Sequence, residues 1–427
     1  MPAKKTEKVN VFYAQSGGMT GVINSTARGV IETARKYKNK IGTVYVGRYG
    51  IQGLLLEDLY DTNKESPKAI AGLYNLPGGA FGSCRYKLTD PKKDLIEYKR
   101  IIEVCKAHNI RYFLYNGGND SADTAYKISK ISKKMGYPMI CIGIPKTMDN
   151  DLPCMDVSPG YPSVAKFIAT TTKECGVDVK SMAPATQIYI METMGRHAGW
   201  IAAASGLAKE KEEDPPHIIL LPEIPFNKKN FLARVKQCVE KYGYCHIVTS
   251  ESLRDEKGRH MAATGQKDAF GHVQLGGLAP LLATMIYKKF GYKYHYAIAD
   301  YIQRASRHMG CKTDLKQAYA LGKAAVEFAL KGKNGVAPVI IRKSGKKYSW
   351  KIGEAPLQKI ANNERNMPRN FIAKDGFGIT QKCYDYIYPL IQGEDFPPFK
   401  NGLPVYEKLK LVLAPKKLKP FKLRTNS

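Results

Sequence analysis

Several signals that would assign a chain to a membrane, to secretion or to a metal-binding module are absent from this sequence. No apolar run reaches the roughly 18 residues that a membrane-spanning helix requires. The first eight residues are polar and differ from a signal peptide, which carries a long apolar stretch. The 9 cysteines are scattered, without a Cys-x-x-Cys pair or a Cys/His metal spacing. We therefore expect free thiols and a reducing, cytoplasmic location.

The charge balance is strongly positive, with 67 Lys and Arg against 38 Asp and Glu and a net charge of +29. Such an excess is typical of proteins that bind nucleic acid. However, the chain contains no zinc finger, no aromatic RNA-binding motif and no heptad repeat after a basic region. We therefore interpret the lysines as solvated surface and as attraction for multiply anionic substrates. Neither nucleic acid nor a membrane is expected as a partner, and nucleic-acid binding stays as an alternative to be tested.

Short apolar runs alternate with helical stretches, the pattern of a parallel α/β sheet. Strands are predicted at 9–14, 43–47, 111–115, 139–144, 187–191, 217–221 and 246–249. Helices are predicted from about residue 20, and at 121–134, 228–242, 279–290 and 315–330. The segment after Leu413, rich in proline and lysine, is expected to be loosely held.

Polar, glycine-rich loops follow three of the predicted strands, where ligands of open α/β sheets bind. Ser16-Gly-Gly18 and Asn116-Gly-Gly-Asn-Asp-Ser121 each join a strand to a helix, so their backbone N–H groups can face an anion. The oxygens of the second loop also suit Mg²⁺. Neither loop matches the Walker pattern. The first loop alone is weak evidence, because a Gly-Gly pair is more often only a turn, but two such loops on one sheet favour anion binding.

The third loop, residues 145–151 (Pro-Lys-Thr-Met-Asp-Asn-Asp), holds one cation, one hydroxyl and two carboxylates at the end of a strand. Phosphoryl transfer to an alcohol requires a carboxylate to accept the hydroxyl proton and cations around the moving group. The alternative is a capped turn, in which Asp149 or Asp151 caps a helix. The loop alone leaves both interpretations open.

Taken together, six segments resemble the phosphofructokinases, a family of sugar-phosphate kinases. They are Ser16-Gly-Gly18, residues 117–121, residues 145–151, Met194-Gly-Arg196, Glu251 after Ile247-Val-Thr-Ser, and Tyr301-Ile-Gln-Arg304. They occur in the family's order, and the run 194–201 is especially similar to it. The resemblance implies an α/β fold of two doubly wound, Rossmann-like lobes with the active site between them.

The resemblance also implies how the chain is divided between the lobes. An N-terminal lobe, residues 1–160 completed by about 305–350, would bind the phosphoryl donor and supply the catalytic base. A C-terminal lobe, residues 161–304 completed by about 351–415, would bind fructose 6-phosphate, and residues 416–427 would form a basic tail. Mg²⁺ is the implied cofactor, and a homodimer or homotetramer is the implied assembly.

The family's roles transfer to this chain residue by residue. Asp149 would be the general base for the 1-hydroxyl, and Thr147 and Asp151 would orient Asp149 and the transferring phosphoryl group. Arg196 and Arg85 would stabilise charge on that group. Fructose 6-phosphate would contact Thr147, Met148, Asp149, Met194, Gly195, Arg196, Glu251, Tyr301 and Arg304. The donor would contact Gly18, Arg85, Gly118, Asp120 and Lys146, with Asn119 and Asp120 as metal ligands. Any one of the arginines, taken singly, is equally consistent with a surface charge.

Two departures from the ATP-using branch of the family concern the donor. Asp120 and Lys146 replace small glycines, so that a carboxylate lies where the α-phosphate of ATP would lie. Ile51 replaces the tyrosine beside the adenine, and residues 269–277 resemble the branch that uses pyrophosphate. Pyrophosphate is therefore the expected donor. An ATP-dependent kinase and a regulatory subunit without catalysis are the alternatives.

Three further departures concern metal and sugar binding. Asn119 stands where the family has a metal-binding aspartate, so the metal contact would pass to Asp120, to water or to pyrophosphate. Gln187 and His295 replace arginines that reach a neighbouring subunit's 6-phosphate site in the tetrameric ATP enzymes. Lys293 or Arg307 would substitute, or the phosphate would be held differently. Glu223, near the family's effector region by sequence, is interpreted as structural.

Overall fold

The computed structural model describes residues 8–267, 273–345 and 347–424. The strands in these ranges are, in chain order, β1 (Val9–Gln15), β2 (Ile41–Gly47), β3 (Leu59–Asp61), β4 (Ile110–Gly117), β5 (Ile140–Pro145), β6 (Ile188–Thr193), β7 (Ile218–Leu220), β8 (Cys245–Ser250), β9 (Ala263–Lys267), β10 (Val273–Leu275), β11 (Tyr294–Ile298), β12 (Val336–Arg342), β13 (Trp350–Pro356), β14 (Phe399–Lys400) and β15 (Leu403–Pro404). The α-helices are α1 (Ile23–Lys36), α2 (Ile51–Leu55), α3 (Pro67–Gly72), α4 (Ile96–Ala107), α5 (Asn119–Lys134), α6 (Tyr161–Ser181), α7 (Trp200–Ala204), α8 (Lys228–Tyr242), α9 (Leu278–Phe290), α10 (Asp300–Ala305), α11 (Lys312–Leu330), α12 (Leu357–Ile360) and α13 (Gln381–Ile387). None of these helices combines the length and the apolar composition that crossing a membrane requires.

The first lobe is built on a seven-stranded sheet in the order β13-β12-β5-β4-β1-β2-β3. Its five central strands are parallel, and the two edge strands run antiparallel to their neighbours. From β1 the chain proceeds to β2 on one side and returns to β4 on the other. The carboxyl ends of β1 and β4 therefore form a topological switch point, where ligands of such sheets bind.

The second lobe is built on a parallel four-stranded sheet in the order β11-β6-β8-β7. The central strand β8 is buried over its whole length, as expected for parallel strands that helices cover on both faces. Strands β12 and β13 pair with each other within the first sheet. The exact residues at which the chain passes between the two lobes stay a prediction. All 9 cysteines lie in the described ranges and are free, as expected.

The packing of α1 on α11 fixes the helix that follows the first glycine-rich loop. A Cβ at Gly29 would approach Tyr319 O to 2.3 Å, and a Cβ at Gly322 would approach Thr26 O to 2.1 Å. Both contacts would be with backbone atoms, which cannot move aside as a side chain can. Glycine at these two positions therefore lets the helices lie close together, and the start of α1 is held in place.

Asp314 of α11 fixes the start of α6. Its carboxylate accepts hydrogen bonds from Gly160 N at 2.9 Å, Ser163 N at 3.1 Å and Ser163 Oγ at 2.6 Å. These groups lie at the start of α6, where a carboxylate also stabilises the positive end of the helix dipole. A bridge between Thr147 and Gly160 holds the loop after β5 against this helix start.

The segment after Leu413 lies on the helices of the first lobe. The backbone N–H groups of Lys417 and Leu418 donate to the carboxylate of Glu57 at 2.6 and 3.1 Å. Four apolar side chains of the segment pack against the buried core of this lobe: Ala414, Leu418, Phe421 and Leu423. The prediction of a loosely held segment is therefore wrong, because a buried carboxylate and apolar contacts fix it.

Candidate active site

Three loops meet at the carboxyl ends of β1, β4 and β5. Gln15 pairs with Asn116 across β1 and β4, so the loops that follow these strands start at the same level. Ser16 N–H then donates to Asn116 O at 2.9 Å, and Lys146 N–H donates to Gly117 O at 3.1 Å. These backbone bonds join the three loops into one continuous wall.

A single cleft collects nearly all the residues that the sequence singles out. It is lined by Gly18, Arg85, Gly118, Asn119, Asp120, Lys146, Thr147, Met148, Asp149, Asp151, Met194, Gly195, Arg196, Glu251 and Arg304. These residues come from both lobes, so the cleft lies between them. Tyr301 instead lines an adjoining cleft, and the residue is 56% exposed.

Lys146 is buried in the cleft, beside the first glycine-rich loop. Its Nζ donates a hydrogen bond to Gly18 O. Burial, reinforced by the charge of Arg304, lowers the pKa of Lys146 to about 7. An anion bound beside this ammonium would favour its charged form, so the site is suited to a phosphate group.

Asp149 lies on the floor of the cleft, half-buried as a residue but with Oδ1 fully buried. Asp149 N–H donates to Thr147 Oγ1 at 3.1 Å, whereas Oδ1 accepts no hydrogen bond from any described residue. Burial raises the pKa of Asp149 to about 7, and the carboxylates of Asp151 and Glu251 act in the same direction. A carboxylate with a pKa near neutrality is well matched to general-base catalysis.

Asp151 is buried next to Asp149, and its Oδ1 also has no hydrogen-bond partner in the described part of the chain. Burial raises the pKa of this carboxyl group, and the charge of Glu364 contributes in the same direction. Glu364 Oε2 lies 3.5 Å from His197 Nδ1, and both residues line the cleft. Sequence reasoning missed these two. His197 lies inside the run 194–201, but no motif surrounds Glu364.

The second lobe supplies an acidic group beside a glycine with a positive φ. Gly195 has a φ of 131°, in the region that favours glycine, and its N–H donates to Glu251 Oε1 at 3.3 Å. Ser250 Oγ and Ser252 Oγ donate to Gly195 O at 3.0 and 2.6 Å. Burial raises the pKa of Glu251 to about 7. This arrangement holds Arg196, the next residue, at the cleft.

Arg304 of α10 connects the two lobes at the cleft. A Cβ at Gly18 would approach its Nη1 to 2.8 Å, so only glycine lets the arginine lie against this loop without displacement. The Arg304 guanidinium carbon lies 3.5 Å from the centroid of the Tyr301 ring, a cation–π contact. Tyr301 thus supports Arg304 from the solvent side instead of lining the main cleft.

Asn119 and Asp120 lie in the first turn of α5 and line the cleft. Asn119 Oδ1 accepts from Asp120 N at 2.8 Å, and Asp120 Oδ1 lies 3.8 Å from Lys87 Nζ. Among the described residues, no group of three or more His, Cys, Asp or Glu side chains is arranged to hold a metal ion. The side-chain oxygens of Asn119 and Asp120 nevertheless fit Mg²⁺, which commonly binds through one or two carboxylates together with substrate phosphate oxygens and water.

Several other residues that the sequence singles out are used structurally. Gln187 Oε1 accepts from Lys293 N at 3.1 Å, so it ties two strands together. Arg307 is buried and donates from all three guanidinium nitrogens to groups of the same chain, including Asp395 Oδ1 at 2.8 Å. Arg307 is therefore excluded as a ligand of the 6-phosphate.

The positions of Ile51 and Glu223 agree with the predictions of a donor shorter than ATP and of a structural carboxylate. Ile51 is completely buried, so it offers no surface to a nucleotide base. Glu223 Oε1 accepts from Gly199 N at 2.9 Å and from Met367 N at 3.3 Å, which is a structural role. Of the segment 269–277, residues 269–272 lie outside the described residues.

Comparison with known proteins gives consistent results over nearly the whole chain. A family profile described as "Phosphofructokinase" matches residues 10–329. The pyrophosphate–fructose 6-phosphate 1-phosphotransferase of Halomonas elongata is 57% identical over 415 residues, which cover 97% of this chain and 99% of that protein. The crystal structure of the pyrophosphate-dependent phosphofructokinase from Marinobacter aquaeolei has a TM-score of 0.89 at 55% identity and covers 97% of this chain and 100% of that one.

A second solved structure agrees in fold and extent. The pyrophosphate-dependent phosphofructokinase from Nitrosospira multiformis has a TM-score of 0.90 at 53% identity, with 97% of this chain and 100% of that chain covered. The six motifs, the two-lobed α/β fold and the matches to both sequences and structures agree with one another. This chain therefore belongs to the phosphofructokinase family.

Proposed function

We infer that this chain transfers a phosphoryl group from pyrophosphate to the 1-hydroxyl of fructose 6-phosphate. The products are fructose 1,6-bisphosphate and phosphate, and the reaction is reversible, as a step of glycolysis or gluconeogenesis. One observation carries this inference: Lys146 and Asp120 flank the donor end of a cleft whose floor holds the carboxylate of Asp149. The relatives named for this activity support the same assignment.

Asp149 accepts the proton of the 1-hydroxyl as the sugar oxygen attacks the nearer phosphorus of pyrophosphate. The new bond forms between this oxygen and phosphorus, and the bond to the bridging oxygen breaks, which releases phosphate. The buried Oδ1 of Asp149 and its pKa of about 7 support this role. Thr147, which bonds the Asp149 backbone, and Asp151 orient the base and the moving group.

Three cationic side chains, those of Arg85, Lys146 and Arg196, line the cleft in which the transferring group would lie. Arg196 and Arg85 stabilise charge on the phosphoryl group, and Lys146 stabilises the departing phosphate. Cations fixed in this way before the reaction need little reorganisation as charge shifts toward the leaving group. The hydrogen bond from Lys146 to Gly18 O supports such pre-organisation.

The sugar phosphate occupies the side of the cleft that the second lobe provides. Arg304 binds the 6-phosphate, since a guanidinium matches phosphate oxygens in geometry and charge. Glu251 accepts a hydrogen bond from a sugar hydroxyl. Met148, Met194 and Gly195 shape the surface around the sugar. Tyr301 acts by stacking on Arg304, which the 3.5 Å distance supports.

Donor choice depends on the negative charge at the start of α5. An ATP molecule would bring its α-phosphate toward the carboxylate of Asp120, and like charges repel strongly in a partly desolvated cleft. Pyrophosphate ends before that point, and Lys146 neutralises its far phosphate. Gly18 and Gly118 supply the backbone surface for both phosphates. An ATP-dependent kinase is the alternative, and Asp120 disfavours it.

Mg²⁺ is the proposed cofactor, held by Asp120 with Asn119 beside it. When bound, it would neutralise charge on pyrophosphate and fix the orientation of the donor's oxygens. The small number of protein oxygens at this position supports an ion that arrives with the donor.

Assembly into a homodimer or homotetramer in the cytoplasm is part of the proposal. The edge strand β11 and the adjoining helix α10 expose apolar side chains, namely Tyr296, Ile298, Tyr301 and Ile302. An open strand edge with apolar residues supports pairing with a second copy.

Two other functions make different predictions. A regulatory subunit would bind fructose 6-phosphate without turnover, and the presence of Asp149, Arg196, Glu251 and Arg304 in one cleft disfavours it. A nucleic-acid-binding protein would bind duplex DNA with a steep salt dependence. Neither would form fructose 1,6-bisphosphate.

The test is production of fructose 1,6-bisphosphate from fructose 6-phosphate, pyrophosphate and Mg²⁺. The unsubstituted chain should form it, and Asp149→Asn should lose about 10²- to 10⁴-fold in kcat, the usual contribution of a general base. Asp156→Asn is the matched control, because Asp156 lies in the same part of the chain but bonds Arg342 at 3.0 Å outside the cleft. No product with pyrophosphate, or equal loss in both variants, would contradict the proposal.

A further inference from the structure

The segment that carries Arg85 into the cleft has no regular secondary structure, since residues 82–90 contain neither helix nor strand. Arg85 lines the cleft, and Lys87 on the same segment lies 3.8 Å from Asp120. The first glycine-rich loop is bonded to it, with Ser83 Oγ donating to Gly17 O at 2.7 Å. Gly17 N–H also donates to Cys84 O at 3.2 Å, and Tyr86 and Leu88 are buried in the core. The position of the two cations therefore depends on tertiary contacts of this segment instead of a helix or sheet.

A buried carboxylate of α4 holds the far end of this segment. Glu97 is 3% exposed, and it accepts hydrogen bonds from Tyr86 Oη and from Thr89 N, the latter at 2.8 Å. Arg424, far along the chain, donates from Nε to Glu97 Oε1 at 3.1 Å and from Nη2 to Lys87 O at 2.8 Å. Arg424 thus bonds the segment both directly and through Glu97.

Arg424 is itself held in place by the chain that precedes it. Residues 408–424, which we call the C-terminal strap, cross the first lobe at two buried carboxylates. Glu65 accepts from Lys410 N at 3.0 Å and from Leu411 N at 2.7 Å, and Glu57 binds the strap farther on. The guanidinium carbon of Arg100 lies over the ring of Phe421, 5.6 Å from the ring centroid. The strap therefore has a fixed path up to Arg424.

We propose that the C-terminal strap positions the donor site, with Arg424 as a positioning residue that keeps Arg85 directed at pyrophosphate and Lys87 beside Asp120. This inference rests on the proposed function, because it concerns the donor of that reaction. Arg424 does not reach the cleft, so it acts on the affinity for the donor through the segment 82–90. The sugar side of the cleft, which the second lobe provides, is unaffected.

The test compares Arg424→Ala and Arg424→Lys with Lys416→Ala. Lys416 is the matched control, because it lies on the same strap and its side chain is 51% exposed against 50% for Arg424, but it bonds Asp58 and Leu56 O. Arg424→Ala should raise the KM for pyrophosphate about three- to tenfold. This factor corresponds to the loss of one or two hydrogen bonds to a charged group. The KM for fructose 6-phosphate and kcat should stay within about twofold. Arg424→Lys should be intermediate.

Hydrogen exchange separates this inference from the proposed function. Backbone amides of 82–90 should exchange faster in Arg424→Ala than in Lys416→Ala, with or without donor. A chain without pyrophosphate turnover would overturn the proposed function, and exchange would still decide whether Arg424 orders the segment. Unchanged exchange in 82–90, or equal effects on the KM values of both substrates, would overturn the positioning role.

Discussion

Replacing Asp149, the proposed general base, by asparagine should make the protein more stable. Burial and two neighbouring carboxylates raise the pKa of Asp149 from 3.8 to about 7. As pH rises through this window, the unfolded chain has already lost the proton that the folded chain retains, so stability falls. Above pH 7 the folded state carries the full cost of the buried charge, and Asp149→Asn removes it.

The size of the effect follows from the shift in pKa. About three units at 1.36 kcal/mol each give about 4 kcal/mol at pH 8. This is an upper limit, because Asp149 faces the open cleft, where water reduces the cost. At pH 5 only the interval between pH 3.8 and pH 5 contributes, so the gain in stability falls to less than half of its value at pH 8. An entropy of unfolding of about 2.1 cal/mol/K per residue converts the larger gain into a rise of about 4 °C in Tm.

The assay is thermal unfolding at pH 5 and pH 8, without substrate and in a buffer free of phosphate. Asp156→Asn is the control, because Asp156 bonds Arg342 and its substitution should lower Tm at both pH values. A lower Tm for Asp149→Asn at pH 8, or the same gain at both pH values, would refute the account of Asp149 as a destabilised buried carboxylate.

Three further predictions concern the reaction itself. The pH profile of kcat/KM for pyrophosphate should be narrow and centred near pH 7, because Asp149 must lose its proton and Lys146 must keep its own. Lys146→Arg should remove the fall in kcat/KM on the alkaline side. A broad plateau in the unsubstituted chain would contradict these pKa shifts. Arg304→Ala should raise the KM for fructose 6-phosphate about tenfold or more, as loss of a charge-assisted phosphate contact does; an equal rise for pyrophosphate would assign Arg304 to the donor. Asp120→Gly should make ATP a usable donor and Lys146→Gly should weaken pyrophosphate use, with kcat/KM for both donors as the measurement; undetectable ATP use with unchanged pyrophosphate use in Asp120→Gly would locate donor selection elsewhere.

Local patterns explain why much of the fold and site is predictable from the sequence. Helix α8 spans the predicted 228–242, because the Asn227 side chain caps its start and Gly243, at a φ of 82°, ends it. The loops that follow β1, β4 and β5 carry their chemistry within a few residues of a strand end. Parallel pairing then brings those ends to one level, so the cleft forms from residues that the motifs already mark.

Features that depend on contacts between distant parts of the chain could not be predicted. Glu364 reaches the cleft from a loop without a motif, and only the packing of the second lobe brings it to His197. Arg307 belongs to the same basic segment as Arg304 but is turned inward by Asp395, 88 residues away. The lysine-rich sequence at the end of the strap predicts a solvated basic tail, because nothing in that sequence indicates that the carboxylate of Glu57 binds it.

The central claim is that pyrophosphate, and not ATP, donates the phosphoryl group. It is tested most directly by competition, with equal concentrations of labelled pyrophosphate and unlabelled ATP in one reaction with fructose 6-phosphate and Mg²⁺. The labelled fraction of the fructose 1,6-bisphosphate formed gives the ratio of kcat/KM for the two donors. The account predicts that nearly all of the product carries the label; product that is mainly unlabelled would contradict it.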